Sequence, residues 1–401
     1  MVDVRDDQAW RLMDLFAPTE EHRLLAETLH TFVIAEVEPQ AAEFNRDERF
    51  NLHLFRRAGE LGLLGLTVPE ADGGAGLDAV AAVIVHEALS SADPGFCLAY
   101  LAHAVLFVNN FTRNANAAQR ARVLPKVISG EWVGGMCMTE PEAGTDVLGM
   151  RSTAVREGDH YVLNGRKMFI TNGAIDDHTL GDVFIVYAKT SGDISTFLVE
   201  KGFPGFALGQ RLHDKLGVRA SMTAELVFDQ CLVPIDNLIG REGESTKHMM
   251  RNLEIERLTL AAMSLGIAQR CLEVMVGYAN ERKAFGVPLR EHGQIQRHIA
   301  ESYSEFKAAR CYVYDVARRL DLNSYGNRVD ADAAKLFAAR IAKEIADRAI
   351  QVLGGYGYMG EYVVERLWRD AKLLEIGGGT VEAHQKNITK DLARTPELIR
   401  R

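Results

Sequence analysis

The sequence predicts an α+β protein with three parts: an N-terminal helical domain, a middle antiparallel β-barrel domain and a C-terminal helical bundle. Up to about residue 134, apolar residues recur at helical spacing. Residues 135–245 contain short runs of β-branched and aromatic residues bounded by Gly, Asp and Pro. From residue 246 onwards, long segments contain almost no Gly or Pro. We therefore expect domains at residues 1–134, 135–245 and 246–401.

The N-terminal part should consist of several helices. Leu25, Leu29 and Phe32 lie at helical spacing, and a second apolar series at residues 54–64 should continue until Val68-Pro69 stops the helix. Residues 79–89 are apolar almost throughout, which predicts a helix buried on most sides.

The middle part should be a sheet of short strands. Segments that begin at residues 160, 167, 182, 194 and 223 have the composition of strands, and Asn164-Gly165 predicts a hairpin turn between the first two. Because no helical crossovers separate these segments, an antiparallel barrel or sandwich is favoured over a doubly wound parallel sheet. Beyond it, segments 246–280, 294–321 and 330–353 predict three to five packed helices.

The composition is typical of a soluble globular protein and excludes several classes. Of 401 residues, 46 are Lys or Arg and 55 are Asp or Glu, so the net charge is -9, and 47% of residues are hydrophobic. This apolar content excludes disorder as the main state, and an acidic chain lacks the excess of cations with which proteins bind nucleic acid. The longest clean apolar run, residues 79–85, is far shorter than the ~20 residues that a membrane span needs.

Cysteine usage and the N-terminus favour an intracellular location. The five cysteines are isolated and form no CxxC motif, which indicates a reducing compartment. The acidic start of the chain, residues 1–7, is not followed by an apolar stretch, so we expect neither a secretory signal nor a transit peptide. We therefore expect a cytoplasmic protein or a mature protein of an organelle matrix.

Several common chemistries have no matching motif. The sequence contains no HExxH, no Cys/His cluster at metal-ligand spacing, no GxSxG and no phosphate-binding P-loop motif, so we expect no metal. Residues 355–360, Gly-Tyr-Gly-Tyr-Met-Gly, formally match GxGxxG. A dinucleotide fingerprint must follow a strand, whereas the preceding segment is helical, so these glycines predict a helix C-terminus or a close backbone approach.

Four segments contain residue types that suit a bound cofactor or catalysis. Residues 136–146 (Met-Cys-Met-Thr-Glu-Pro-Glu-Ala-Gly-Thr-Asp) predict an irregular turn with free N–H groups and hydroxyls, and residues 169–173 place an aromatic ring beside a threonine at a strand end. Residues 253–258 carry two glutamates on a helix, and residues 374–382 contain three glycines before Thr380, which can cap the next helix. Alone, each segment also fits an ordinary turn, strand end, helix or loop.

The two glutamates of the third segment lie on different faces of their helix. Glu254 has Arg251 and Arg257 three residues away on either side, as an ordinary solvated or paired carboxylate would. Glu256 has no cation at helical spacing and lies on an apolar stripe that includes Leu253. Desolvation there would raise its pKa, which suits a general base. A Glu that reaches a partner on another helix is the alternative, and spacing alone does not decide between the two glutamates.

In this order, the four segments resemble the acyl-CoA dehydrogenase family of flavoenzymes. Residues 282–286 (Arg-Lys-Ala-Phe-Gly), 351–355 (Gln-Val-Leu-Gly-Gly) and 369–372 (Arg-Asp-Ala-Lys) strengthen the resemblance, which covers nearly the whole chain. Most members carry the catalytic Glu just before Gly-Thr, where this chain has Gly378. The isovaleryl and long-chain branches place it on the helix in a Glu-Arg-Leu context, which residues 256–258 match.

The resemblance implies FAD-dependent α,β-dehydrogenation of an acyl-CoA thioester, with Glu256 removing the α-proton while the β-hydrogen leaves as hydride to the flavin. The residues it implies for FAD binding are Met136, Met138, Thr139, Gly144, Thr145, Phe169, Ile170, Thr171, Arg282, Phe285, Gln351, Gly354, Gly355, Thr380 and Glu382. Those implied for substrate binding are Thr145, Glu254, Arg257, Gly378 and Gly379. Arg282 and residues 351–355 would serve a neighbouring subunit's flavin. The implied partners are electron-transferring flavoprotein and three further copies of the chain, in a homotetramer arranged as a dimer of dimers.

Three departures from the family pattern bear on the substrate and the flavin. The family has Phe-Gln eleven residues after Arg282, where this chain has His292-Gly293, with Gln294 one step later. Lys247 stands where the isovaleryl branch has a Tyr that lines the acyl pocket. Gly377 stands where straight-chain members have a Tyr, which leaves room for a short branched acyl group, although the same space would admit a longer or terpenoid chain.

Three other functions remain as alternatives. A flavin-dependent oxidase on the same fold would pass electrons to oxygen, and a desulfinase-like relative would not need Glu256. From another class, a flavin-free helical scaffold is the third alternative, and a colourless, folded preparation would identify it.

Overall fold

The computed structural model describes residues 14–324 and 326–400. Its N-terminal part is helical. The helices are α1 (Glu20–Phe32), α2 (Glu38–Arg46), α3 (Leu52–Glu60), α4 (Ala79–Ala92), α5 (Pro94–Leu101), α6 (Asn110–Asn114) and α7 (Ala117–Ile128). Two π-helical segments, Val33–Val37 and Ala102–Asn109, continue α1 and α5. Helix α4 is buried over most of its length, as its apolar sequence predicts.

The middle part is an eight-stranded sheet. The strands are β1 (Gly134–Cys137), β2 (Thr153–Glu157), β3 (His160–Thr171), β4 (Val183–Thr190), β5 (Asp193–Glu200), β6 (Phe206–Arg211), β7 (Thr223–Pro234) and β8 (Leu238–Ile239). They run in the order β6-β7-β3-β2-β4-β5-β8, with β1 added beside β4. The pairs of β1 and β2 with β4 are parallel and the others are antiparallel. Within residues 14–324 and 326–400, β6 and β8 end this order without pairing to each other, so the sheet is mixed and the predicted closed antiparallel barrel is not confirmed.

The predicted hairpin turn at Asn164-Gly165 is wrong. Strand β3 runs through both residues, and the tight turn lies earlier, at Gly158-Asp159, where Glu157 of β2 pairs with His160. Gly165 is needed for a close approach instead, because a Cβ there would lie 2.2 Å from the Ser152 hydroxyl oxygen. Similarly, α3 ends at Glu60 rather than at Val68, because Gly62 adopts a left-handed conformation two residues later.

The C-terminal part is built around one long helix. It contains α8 (Ser245–Glu281), α9 (Gly293–Arg319), α10 (Arg328–Leu353), α11 (Val364–Leu374) and α12 (Val381–Arg394), with a small ribbon of β9 (Lys283–Ala284) and β10 (Val287–Pro288). Helix α8 packs against α4, α9 and α10, and its residues from Ile255 to Ala279 join those helices in one hydrophobic core. Helix α10 ends at Leu353, where Gly354 has a φ of 62°. The C-terminal role predicted for this glycine-rich segment is therefore confirmed, since a left-handed residue ends the helix.

Two helical stretches, Pro94–Asn114 and Ser245–Glu281, are long and apolar enough to cross a membrane by length and composition. They are 89% and 67% buried inside the protein over their most apolar windows. Part of their apolar surface packs on the sheet, since Phe107, Phe111, Met249 and Leu253 share a hydrophobic cluster with strand residues.

A buried junction joins the three parts. Asp370 of α11 accepts a hydrogen bond of 2.5 Å from the Val218 N–H, in the segment between β6 and β7. One turn earlier, Arg366 donates to the Ala92 carbonyl at the end of α4, at 2.7 Å. A Cβ at Gly217 would lie 2.5 Å from the Arg369 backbone. Burial raises the pKa of Asp370 to about 6, even though Arg366 acts in the opposite direction.

Candidate active site

The first predicted segment forms a turn that is stabilised by a buried ion pair. Lys167 of β3 is fully buried, and its ammonium donates to the Met138 carbonyl at 3.1 Å and to the Glu140 carboxylate at 2.9 Å. Burial alone would raise the pKa of Glu140, but Lys167 and the N–H groups of residues 151 and 152 lower it to about 2. Above this pair, Thr139 is half-buried, while Gly144 and Thr145 are exposed.

The second segment presents an exposed ring in an unusual backbone conformation. Phe169 has a φ of 60°, and its side chain is 66% exposed. The register of β3 against β7 shifts between residues 167 and 170, so a bulge turns this ring out of the strand's normal alternation. A non-Gly residue in the left-handed region is strained, and such strain concentrates at functional sites. The Met168 N–H donates to the Thr139 carbonyl at 2.9 Å, which joins the second segment to the first.

The third segment lies on α8 and contacts the first through apolar side chains. Met136 and Met138 of the first segment share a hydrophobic cluster with Met249 and Leu253 of α8. Glu256 follows less than one turn after Leu253 and is 9% exposed. Its Oε2 atom is buried without a hydrogen-bond partner among the described residues. Burial raises the pKa of Glu256, and the positive charges of Arg257 and Lys335 oppose this shift only in part.

Glu254 has a different environment. It is also buried, but its Oε2 accepts a hydrogen bond of 3.1 Å from the Asn327 N–H just before α10. Burial raises its pKa too, and this backbone contact opposes the change. Its hydrogen-bond partner is therefore a backbone amide near the start of α10, and the charge of Arg257, three residues further along α8, also lowers its pKa.

The fourth segment brings the glycine loop, residues 377–379, against Glu256. Gly378 has a φ of 65°, and a Cβ there would lie 2.4 Å from Leu260 Cδ1 and 3.4 Å from both Cδ and Oε1 of Glu256. The backbone position that carries the Glu of most family members is thus next to the helix-borne carboxylate. Thr380 caps α12 by accepting from the Ala383 N–H at 3.2 Å, which confirms the predicted cap. Glu382 is exposed in the first turn of the same helix.

Polar residues that the sequence analysis missed lie beneath this loop. Lys335 of α10 is 1% exposed, and its ammonium donates to the Gly377 and Gly379 carbonyls at 2.5 Å each. Asp332, one turn earlier, pairs with Arg257 at 2.8 Å and with His384 Nδ1 at 3.0 Å. The available signal was a lysine and an aspartate three residues apart among alanines on the apolar face of a helix, which is costly unless both are paired.

Four further residues considered in the sequence analysis are Arg257, Lys247, Gln294 and His292. Arg257 is buried, and besides Asp332 it contacts the Gly378 carbonyl at 3.4 Å, so its guanidinium supports the loop. Lys247 lies exposed in the first turn of α8, and Gln294 is exposed at the start of α9. His292 contacts the Ala284 carbonyl through Nε2 at 3.3 Å.

A second region lies at the far end of α8. Arg282 and Gly355 line an open cavity of about 460 Å³ together with Tyr278 and Tyr356. Gln351 and Gly354 are exposed beside it, and Phe285 is 98% exposed with a φ of 52°. Arg282 follows Glu256 by 26 residues, which is about 39 Å along a helix axis. The structure therefore brings the four main segments together and leaves Arg282, Phe285 and residues 351–355 in a separate exposed patch.

Comparison with known proteins agrees with this architecture. Models of the acyl-CoA dehydrogenase N-terminal, middle and C-terminal domains match residues 19–131, 135–231 and 246–393. Mitochondrial isovaleryl-CoA dehydrogenase of Oryza sativa subsp. japonica is 42% identical over 385 residues, which are 94% of this chain and 92% of that protein. The structure of butyryl-CoA dehydrogenase from Megasphaera elsdenii has a TM-score of 0.89 at 34% identity, covering 95% of this chain and 100% of that one.

A third relative is a structure of an acyl-CoA dehydrogenase from Bacillus anthracis in complex with FAD. It has a TM-score of 0.88 at 32% identity and covers 95% of this chain and 68% of that one. Three matching domains in the expected order, together with this shared fold, show that the chain belongs to the acyl-CoA dehydrogenase family of FAD-dependent oxidoreductases.

Proposed function

We propose that this enzyme oxidises the α,β carbon–carbon bond of a short branched-chain acyl-CoA, with Glu256 as the base that removes the α-proton. The observation that carries the proposal is the buried carboxylate of Glu256, whose Oε2 has no partner among the described residues and whose Oε1 lies beside Gly378. An unpartnered carboxylate in an apolar site is costly unless the site uses it, and its raised pKa suits proton abstraction from a weak carbon acid.

The residues of the first two segments fit the flavin that the family binds. An exposed ring at Phe169, open space where Gly144 lacks a side chain and the exposed Thr145 offer a surface for a planar heterocycle and its polar edge. Met136, Met138, Thr139, Ile170, Thr171, Thr380 and Glu382 are proposed to complete it. When bound, FAD accepts the hydride that leaves the β-carbon. The chain's own contribution is to place the thioester and to take its proton at Glu256.

The acyl group is proposed from the shape of the glycine loop. Gly377 has no side chain, and a Cβ there would meet only Leu373 atoms at 3.6 Å or more, so this position leaves space for a branch near the β-carbon. Similarity to the rice isovaleryl-CoA dehydrogenase supports a branched substrate, whereas the Megasphaera relative is named for a straight four-carbon one. Thr145, Arg257, Gly378 and Gly379 are proposed to lie nearest the thioester and CoA, and Glu254 to act indirectly through the start of α10.

Anaerobic bleaching of the flavin by a panel of acyl-CoAs tests the substrate. We expect isovaleryl-CoA to bleach the flavin at least tenfold faster than straight-chain or terpenoid esters. Faster bleaching by a terpenoid or long-chain ester would replace the branched assignment and leave the reaction type unchanged. Rapid reoxidation of the bleached flavin by air would favour an oxidase instead.

The base is tested by Glu256→Gln, with Glu254→Gln as the matched control on the same helix. Glu256→Gln should retain the flavin band and bind acyl-CoA but lose turnover by about three orders of magnitude or more, because the proton acceptor is gone. Glu254→Gln should retain most of kcat. Comparable losses in both variants would show that the base is misassigned.

The partners are proposed from geometry and family. Arg282 lies about 39 Å along α8 from Glu256, so a flavin whose reactive ring lies at Glu256 cannot also contact Arg282 of the same subunit. We propose that Arg282, Phe285, Gln351, Gly354 and Gly355 contact the flavin of a neighbouring copy in a homotetramer, and that electron-transferring flavoprotein reoxidises the cofactor.

A further inference from the structure

The glycine loop, residues 377–379, has no side chains with which to hold its position, yet it forms the wall beside Glu256. Each of its three carbonyls contacts a buried cation. Lys335 donates hydrogen bonds to the Gly377 and Gly379 carbonyls at 2.5 Å each, and Arg257 contacts the Gly378 carbonyl at 3.4 Å. A short loop of glycines has large conformational freedom, so these contacts are what fixes the distance between Gly378 and Glu256.

The same cations set the electrostatic environment of Glu256. The charged and titratable groups that face it or its cation partners come from several elements: Arg257 on α8, Asp332 and Lys335 on α10, His384 on α12 and Tyr187 on β4. Arg257 provides the largest charge that opposes the effect of burial on Glu256, and it also contacts Asp332 at 2.8 Å. Asp332 in turn contacts His384 and Asn387. Lys335 has no carboxylate among its hydrogen-bond partners, which are both carbonyls.

We propose that Lys335 is a positioning residue for the base: it clamps the glycine loop against Glu256 and, together with Arg257, supplies positive charge that favours the ionised form of this carboxylate in an apolar site. The proposal rests on Glu256 being the base. Lys335 touches neither substrate nor flavin and acts through the loop and through the field at Glu256. Burial lowers the pKa of Lys335 to about 7, and the neighbouring Glu256 charge raises it, so the two charges support each other.

Three variants separate the two roles. Lys335→Gln keeps donors for the loop carbonyls but has no charge, Lys335→Met has neither, and Lys335→Arg keeps the charge. Lys343→Gln, two turns further along α10, is the matched control. Removing the charge should raise the pKa of Glu256, because Arg257 alone would then oppose the apolar environment that favours the protonated acid. The base would then be protonated up to a higher pH.

The first measurement is kcat against pH in the purified holoenzyme with the best acyl-CoA of the panel. We expect the acidic limb to move up by about one pH unit in both Lys335→Gln and Lys335→Met, and to return toward wild type in Lys335→Arg. In Lys335→Gln the plateau at high pH should stay within about twofold of wild type. In Lys335→Met it should fall about tenfold or more with little change in KM, because the loop loses its position.

The second measurement is hydrogen exchange of peptides that span residues 377–380, which does not depend on turnover. Exchange should speed up in Lys335→Met and much less in Lys335→Gln, while Lys343→Gln matches wild type. If the variants lose thermal stability but the acidic limb does not move, Lys335 is only a structural residue and the proposal is overturned. If Glu256→Gln retains turnover, the base assignment fails instead, and the loop-exchange result still stands by itself.

Discussion

Gly378 shows at the scale of one residue how backbone conformation protects the site. Its φ of 65° and the 2.4 Å approach of Leu260 Cδ1 to its missing Cβ leave no room for a side chain. The sequence indicated that this glycine cannot act as a base, but it did not indicate the close contact with Glu256. That contact depends on the crossing of α8 and the loop after α11, which lie far apart in the chain.

Gly378→Ala should therefore reduce both stability and turnover. We expect a loss of about 1–3 kcal/mol in the free energy of unfolding, from left-handed strain and overpacking against Leu260, and a fall in kcat as Glu256 is displaced. Gly277→Ala is the control, because no atom lies within 4 Å of its added Cβ in helix α8. Thermal melting and steady-state kinetics measure both effects. Equal behaviour of the two variants would mean that Gly378 tolerates a side chain.

The environment of Lys335 shows why part of the site could not be predicted from the sequence. Glu256 could be selected from its own helix, because an unpaired carboxylate on an apolar stripe is a local pattern. Lys335, Asp332 and His384 become neighbours of Glu256 only when α10 and α12 pack on α8, and single-helix spacing does not contain that information.

At the scale of elements, a buried ion pair of strand β3 supports the residues that we propose for flavin binding. The salt bridge between Lys167 and Glu140 fixes the turn after β1, and the bulge two residues later turns Phe169 outward. Strand and helix periodicity predicted most element types. The error at Gly165 arose because Asn-Gly is a strong turn signal, while here the glycine serves a close approach to Ser152 inside a continuous strand.

Glu140→Gln should destabilise the protein by about 3–5 kcal/mol and weaken retention of FAD, because it leaves the Lys167 charge buried without a counter-ion. The pKa of Glu140 is lowered to about 2, so the stability that its charge provides is present above its ordinary pKa and is lost as pH falls toward 2. The difference in melting temperature between wild type and variant should therefore narrow from pH 5 to pH 3. A constant difference over this range would contradict the assignment. Arg156→Gln, which removes an exposed arginine on the neighbouring strand β2, is the control.

At the scale of the whole molecule, the separation of Glu256 and Arg282 makes an intersubunit site testable. Coexpressed Glu256→Gln and Arg282→Glu subunits should regain activity that neither variant has alone, because one site of each mixed pair has both residues intact. Random pairing predicts about a quarter of wild-type activity, since half of the pairs are mixed and each has one intact site of two. Absence of recovery in a demonstrated mixed oligomer would place Arg282 in its own subunit's site.

The three-part order of helices, sheet and helices followed from changes in periodicity along the chain. Whether the sheet closes could not be predicted in this way. Strand order depends on pairing between distant segments such as β2 and β4, which no local pattern encodes.

The junction at Asp370 has a consequence for how the protein melts. A single buried carboxyl is bonded to the segment before β7, and its neighbour Arg366 is bonded to the end of α4, so no part can swing away without exposing a polar group that has lost its partner. The three parts of the protein should therefore unfold in one cooperative transition, with a single calorimetric endotherm that coincides with release of FAD.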